Sequence, residues 1–315
     1  MICLVTGAAG FVGSHLSEYL LAMGHEVRGV DCFSDYYARS IKDRSLEAVT
    51  GSSGFAFLES DLAEAQLEPL LDGVDIVFHL AGQPGVRPSW GREFGTYLRN
   101  NIQVTQRLLE ACRDLPLHAF VYASSSSVYG DAESLPTSEL VRPRPVSPYG
   151  VTKLAAEHLA ELYRSNFHVP TASLRLFTVY GPRQRPDMAF SRLIRAAVEG
   201  RAFELYGDGE QTRDFTFVGD VVRAMHDAAF SGWHGVANVG GGSRTSMNTV
   251  IATVERICGP VDVIRRPAPP GDARHTAADI GVARDAFGYV PATPLTEGLV
   301  TMAAWARSTA ETRTR

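Results

Sequence analysis

The chain has 315 residues, a formal net charge of -5, 45% hydrophobic and 21% charged residues, a balance that argues against a nucleic-acid or anionic-membrane surface. Its length suits one large domain plus a smaller lobe, and it holds no apolar run long enough to span a membrane. The four cysteines (Cys3, Cys32, Cys112, Cys258) form no CxxC pair, so neither a metal site nor a disulfide framework is expected, and a cytoplasmic location with reduced thiols fits.

Taken in order, Ile2–Val5 reads as a buried strand, followed at once by Gly7-x-x-Gly10-x-x-Gly13. A helix to about Met23 comes next, then a second strand from Glu26 to Val30 that ends at Asp31. A strand, glycine turn, helix and strand within about thirty residues is the setting of a dinucleotide site. Gly7 allows the tight turn, Gly10 lets backbone N–H groups approach a pyrophosphate, and Gly13 lets the helix pack close. Asp31 stands where a carboxylate accepts both adenosine-ribose hydroxyls, and a 2′-phosphate there would meet a like charge. NAD is therefore expected rather than NADP.

Phe55–Leu58 and the run from Val74 to Gly82 suit parallel strands buried on both faces. Ligands collect beyond the carboxyl ends of such strands, which makes Asp61, Leu62, Leu80, Ala81 and Gly82 candidate contacts. His79, inside an apolar strand, reads as a core histidine. A helix carrying Asn101 leads to the strand Ala119–Ala123, which empties into Ser124-Ser125-Ser126-Ser127.

Ser147 and Pro148 read as the N-cap and first residue of a further helix. Tyr149 and Lys153 then share one face of it. An ammonium near a phenol favours the phenolate, giving a general base for use near neutral pH. Such a pair taken alone is more often a surface stack. Leu174–Phe177 reads as another strand. Beyond Arg183 the pattern loosens, and Arg183, Arg185, Arg213 and Arg244 could serve an anionic substrate. The expected organisation is a dinucleotide-binding domain over residues 1–180, with a returning segment near 215–240. Residues 181–315 are expected to build mainly the substrate lobe.

Together these residues resemble the extended short-chain dehydrogenase/reductase family, in particular its nucleotide-sugar epimerases and dehydratases. The likeness runs along almost the whole chain. It rests on the glycine triplet, Asp31, Asp61-Leu62, Leu80-Ala81-Gly82, Asn101-Ile102 and the serine run before Val128-Tyr129-Gly130. Tyr149-x-x-x-Lys153, Arg175-x-Phe177-x-x-Tyr180-Gly181-Pro182, the stretch from Tyr206 to Phe215 and Pro270-Gly271-Asp272 extend it. The resemblance implies a Rossmann-like doubly wound α/β fold with a smaller C-terminal α/β lobe and a resident NAD. It implies a catalytic trio of Ser125, Tyr149 and Lys153, the lysine also meeting the nicotinamide ribose. It further places Phe11, Val12, Phe33, Ser34, Asn101, Ala123, Phe177 and Val179 beside the cofactor. Arg87, Ser126, Ser127, Thr178, Arg185, Ala189, Phe190, Glu204, Tyr206, Gln211, Arg213 and Asp272 are placed beside a UDP-sugar. A homodimer through helices flanking 92–113 and 148–166 is also implied.

Within the family, dehydratases and UDP-glucuronate decarboxylases carry an acid at the positions of Ser126-Ser127, which this chain lacks. Ala81-Gly82-Gln83-Pro84-Gly85-Val86-Arg87 and Thr178 to Phe190 look more like UDP-glucuronate 4-epimerases than UDP-galactose 4-epimerases. The expected activity is C4 epimerisation of UDP-glucuronate to UDP-galacturonate. UDP-glucose/UDP-galactose 4-epimerisation is the alternative, followed by decarboxylation or an NAD-binding sensor.

Overall fold

The structure is a computed structural model that describes residues 1–267 and 273–313. Its strands in chain order are β1 (Ile2–Thr6), β2 (Glu26–Asp31), β3 (Phe55–Glu59), β4 (Ile76–His79), β5 (Ala119–Ser125) and β6 (Thr171–Leu176). Then follow β7 (Thr178–Tyr180), β8 (Phe203–Tyr206), β9 (Thr212–Phe217), β10 (Gly235–Val239), β11 (Arg244–Ser246) and β12 (Val263–Arg266). Seven of them make one parallel sheet in the order β10-β6-β5-β4-β1-β2-β3. The chain runs outward from β1 to β3, then crosses back to place β4 on the other side of β1. That reversal opens a crevice at the carboxyl ends of β1 and β4.

The inner strands are largely apolar because both faces of the sheet are covered there, whereas the edge strand β3 is partly exposed. Cys3, Val5, Ile76, Phe78 and Val121 point into one core, shared with the helices Phe11–Ala22 and Val218–Phe230. Leu4, Val77, Phe120 and Tyr122 point into the other, shared with the helices Val104–Cys112 and Pro148–Phe167. Residues two apart thus serve the same layer, as a pleated strand requires.

A third core lies outside this sheet, around Phe190, Leu193, Phe203, Phe215, Val250, Leu299 and Met302. It is lined by the small sheet β11-β9-β7 and the parallel pair β12-β8. The chain passes between these regions repeatedly. β7 pairs with β9 rather than with the central sheet, whereas β10 returns to lie beside β6. Ala283, Phe287 and Tyr289, far along the chain, join the first core. Among the described residues no helix is long and apolar enough to cross a membrane.

A buried ion pair joins the second helical layer to the sheet. Arg175 grips Glu157 with two bonds, Nε to Oε2 at 3.0 Å and Nη2 to Oε1 at 2.6 Å. Their side chains are 6% and 3% exposed. Ser124 donates to the same carboxylate at 2.7 Å, and Tyr129 accepts from Arg175 Nη1 at 2.7 Å. Removing one member leaves the other charged and unpaired in the interior. Arg175→Met is expected to lose about 3–5 kcal/mol in urea unfolding, and adding Glu157→Leu should return much of it. A loss below about 1 kcal/mol for the single variant would show that the pair is not the anchor of this layer.

Candidate active site

Many of the expected residues meet in one cleft of about 430 Å³ across the carboxyl ends of β1, β2, β4, β5 and β6. Gly7, Gly10, Phe11, Val12, Gly13, Asp31, Ser34, Asp61, Leu62, Leu80, Ala81 and Gly82 line one stretch of it. Ala123, Ser125, Ser126, Ser127, Tyr149, Lys153, Phe177, Thr178, Val179 and Arg185 line the other.

The first stretch fits a dinucleotide. A Cβ at Gly13 would fall 2.2 Å from the Gly7 carbonyl oxygen, so only glycine lets this helix start so close to the turn. Asp31 accepts Ala9 N–H on Oδ2 at 3.2 Å and Phe33 N–H on Oδ1 at 2.8 Å. A carboxylate has about four acceptor sites, which leaves two for ribose hydroxyls. Lys42, buried beside it at 3.7 Å, offsets its charge. The helix N-terminus after Gly10 has no side-chain cap, and its N–H groups remain for an anion.

In the second stretch, Ser147 Oγ accepts the Gly150 N–H at 3.1 Å and starts the helix that bears Tyr149 and Lys153. Gly150 passes so near the serine run that a Cβ there would lie 2.5 Å from the Ser127 carbonyl oxygen. Tyr149 is thereby pressed against the end of β5. Ser125 Oγ accepts the Ser127 N–H at 3.2 Å, and its hydroxyl, beside the Tyr149 phenol, favours the phenolate. Lys153 Nζ donates to the Ala123 carbonyl at 2.9 Å and lies 5.0 Å from the Tyr122 ring centre.

The electrostatics differ from the expectation that Lys153 makes the phenol acidic. Burial raises the Tyr149 pKa, and the Ser125 hydrogen bond and the Arg185 charge pull it back. Lys153 is held by a backbone carbonyl, and burial pushes its own pKa down to about 8. Desolvation penalises both charged forms and sets the direction of each shift.

Several expected residues stand elsewhere. Asn101, expected at the cofactor, spends its amide on the protein: Oδ1 accepts the Gln83 N–H at 2.6 Å, and Nδ2 donates to the Gln83 carbonyl and Thr152 Oγ1. It lies in a π-helical segment, Leu98–Gln103, whose wider turn faces it inward. Phe33 contributes its N–H to Asp31, but its ring packs on Phe57 outside the cleft lining. Phe190 is buried against Phe215 and Tyr180 in the third core, and Ala189 is exposed at the start of its helix.

Arg87, Glu204, Tyr206, Gln211 and Arg213 form a second patch beyond the cleft. Arg87 follows the cleft-lining stretch 83–86 and lies 4.6 Å over the Tyr206 ring. Gln211 donates to the Tyr206 carbonyl, Glu204 pairs with Arg266, and Arg213 donates to the carbonyls of Thr212 and Arg274. Asp272 lies outside the described residues. Tyr36, Lys42 and Val86 line the cleft without having been expected there; only the Tyr36-Tyr37 pair in a polar stretch hinted at a site. Among the described residues no cluster could hold a metal ion.

A sequence profile described as the NAD dependent epimerase/dehydratase family matches residues 3–240. An uncharacterized UDP-glucose epimerase, YtcB of Bacillus subtilis, is 44% identical over 98% of both chains. A UDP-glucuronate 4-epimerase of Thermodesulfobacterium geofontis is 34% identical over 98% of this chain and 97% of its own. The crystal structure of UDP-glucuronic acid 4-epimerase from Bacillus cereus, in complex with UDP-glucuronic acid and NAD, superposes with a TM-score of 0.95. It shares 43% identity, over 98% of this chain and 100% of that one. With matches of this extent the chain belongs to the NAD dependent epimerase/dehydratase family.

Proposed function

We propose that this protein is an NAD-dependent UDP-sugar 4-epimerase whose substrate pair is UDP-glucuronate and UDP-galacturonate. The carrying observation is that one cleft is lined by the Ser125, Tyr149 and Lys153 constellation, by a half-buried arginine, Arg185, and by a serine run that holds no acid. The relatives named above as UDP-glucuronate 4-epimerases support the choice of sugar.

Gly7, Gly10, Gly13 and Asp31 would hold NAD, which would supply hydride-transfer chemistry at C4, accepting the hydride and returning it to the opposite face. Tyr149 takes the 4-hydroxyl proton as the hydride leaves and gives it back when the alcohol re-forms. Ser125, whose oxygen already accepts the Ser127 N–H, has its own hydrogen for the phenol or the sugar oxygen. Lys153 offers its remaining ammonium hydrogens to the nicotinamide ribose. The 4-keto sugar must turn over in the cleft before reduction. For a uronate it is a β-keto acid, prone to lose carbon dioxide when the C5–C6 bond stands perpendicular to the ketone plane. Arg185 and Thr178 hold the carboxylate out of that alignment, and Ser127 provides no proton to C5.

Two identical chains pair in this reading through the helices Val104–Cys112 and Pro148–Phe167. Val151 and Leu162, 47% and 54% exposed, give the second helix an uncovered apolar face, with Leu98 and Phe167 also exposed.

Tyr149→Phe should lower kcat about 10²- to 10⁴-fold while NAD, counted by chromatography of the denatured protein, stays bound. A variant within about threefold of wild type would remove the phenol from the chemistry. Arg185→Ala should weaken UDP-glucuronate at least about tenfold in kcat/KM, and UDP-glucose binding much less; equal losses would exclude a carboxylate grip. The same variant takes a cation from beside the phenol, which raises the Tyr149 pKa. The acid limb of its residual rate should therefore move to higher pH. In sedimentation velocity the wild type should run as a dimer and Leu162→Arg as a monomer; a monomeric wild type would end the pairing proposal.

A further inference from the structure

Arg185 is already engaged on the side away from the sugar. Its Nε donates to Asp187 Oδ1 and its Nη2 to Asp187 Oδ2, both at 3.0 Å. This uses the side-on fork of the guanidinium and leaves Nη1 and the second Nη2 hydrogen for another acceptor. Asp187 also accepts from the Tyr36 hydroxyl at 3.3 Å, and the Tyr36 ring centre lies 5.7 Å from the guanidinium carbon. Burial and Asp187 hold the Tyr36 phenol above its ordinary pKa, so it is protonated and donates. Its hydroxyl reaches Asp187 over the loop after β4 at a point where a Cβ on Gly85 would lie 2.5 Å away. The Arg185 side chain is 20% exposed and lines the cleft, whereas Asp187 is 41% exposed and does not. The cation faces inward and its internal partner outward.

We propose that Asp187 and Tyr36 are positioning residues for sugar specificity. They hold the side-on fork of Arg185 so that its end-on fork meets the C6 carboxylate of a uronate. The idea rests on the reading of Arg185 as the carboxylate's partner. An unsupported arginine samples many rotamers and loses that freedom on binding. An arginine fixed beforehand loses little, and the gain falls only on a ligand that uses the fork. A neutral hexose makes no such demand.

The test uses the holoenzyme: kcat and KM with UDP-glucuronate, and calorimetric Kd values for UDP-glucuronate and UDP-glucose. Asp187→Asn should raise KM and Kd for UDP-glucuronate about tenfold, with kcat and the UDP-glucose Kd within about twofold. Tyr36→Phe, which deletes one oxygen, should move the same values about threefold in the same direction. Asp187→Asn should add nothing further once Arg185 is alanine. An equal loss on both nucleotides would make the arrangement merely structural and overturn the proposal. Tighter UDP-glucuronate binding by Asp187→Asn would also overturn it, since Asp187 would then be a competitor for the fork. If Arg185→Ala discriminates between the sugars and Asp187→Asn does not, the positioning role alone falls. If Arg185→Ala fails to discriminate, the reading of Arg185 falls and takes this proposal with it.

Discussion

The site depends on how firmly one buried face of the helix Pro148–Phe167 is held against the central sheet. Three side chains on that face reach the ends of neighbouring elements. Thr152 meets Asn101, Lys153 meets the Ala123 carbonyl, and Glu157 meets Arg175 and Ser124. These contacts are buried, where a hydrogen bond is strong and an unmade one is costly. They fix the helix in both rotation and depth. Tyr149, one turn before Lys153, has then little choice of position. It is set against Ser125 because the strand that carries Ser125 is held by the residues next to it.

That rigidity has an electrostatic consequence. A phenol and an ammonium placed in a dry crevice each resist ionisation. In this protein the Tyr149 pKa is raised and the Lys153 pKa lowered by the same burial. The groups that pull the phenol back are a hydroxyl and a guanidinium. Arg185 thus eases ionisation of the base, and in the proposed reading it also meets the sugar's own charge. Asp187 occupies only the side-on fork, which leaves the charge and the other fork on the cleft side.

The loops over the cleft are organised from below. Tyr97 donates to the carbonyls of Pro84 and Gly85 at 2.8 Å, and Asn101 clips Gln83 on both its N–H and its carbonyl. The stretch after β4 is therefore a fixed wall between the dinucleotide cradle and the patch around Tyr206. On its far side Arg183, with its guanidinium on Glu18 and His15, ties the stretch before Arg185 to the helix that begins at the glycine turn. The glycine turn and the stretch that carries Arg185 are parts of one connected frame.

What local order in the chain determined was the periodic part. Apolar runs of strand length, a glycine triplet at a strand end, a terminal aspartate and a Ser-Pro helix start each follow from chain-neighbour chemistry. Hence the doubly wound sheet, the cradle from Gly7 to Asp31 and the Tyr149/Lys153 face could be read directly. Only the tertiary structure decided what depends on residues distant in sequence. Asn101 turned out to hold the wall rather than line the cleft, because a π-helical turn faces it toward Gln83. Phe190 went into a core assembled from strands and helices up to Met302. Tyr36 met Asp187 across 151 positions. The sign of the Tyr149 shift was likewise out of reach, since helical spacing reports that two groups are near but not how little water surrounds them. Burial is a property of the assembled molecule, and it is burial that sets the charge states on which the chemistry runs.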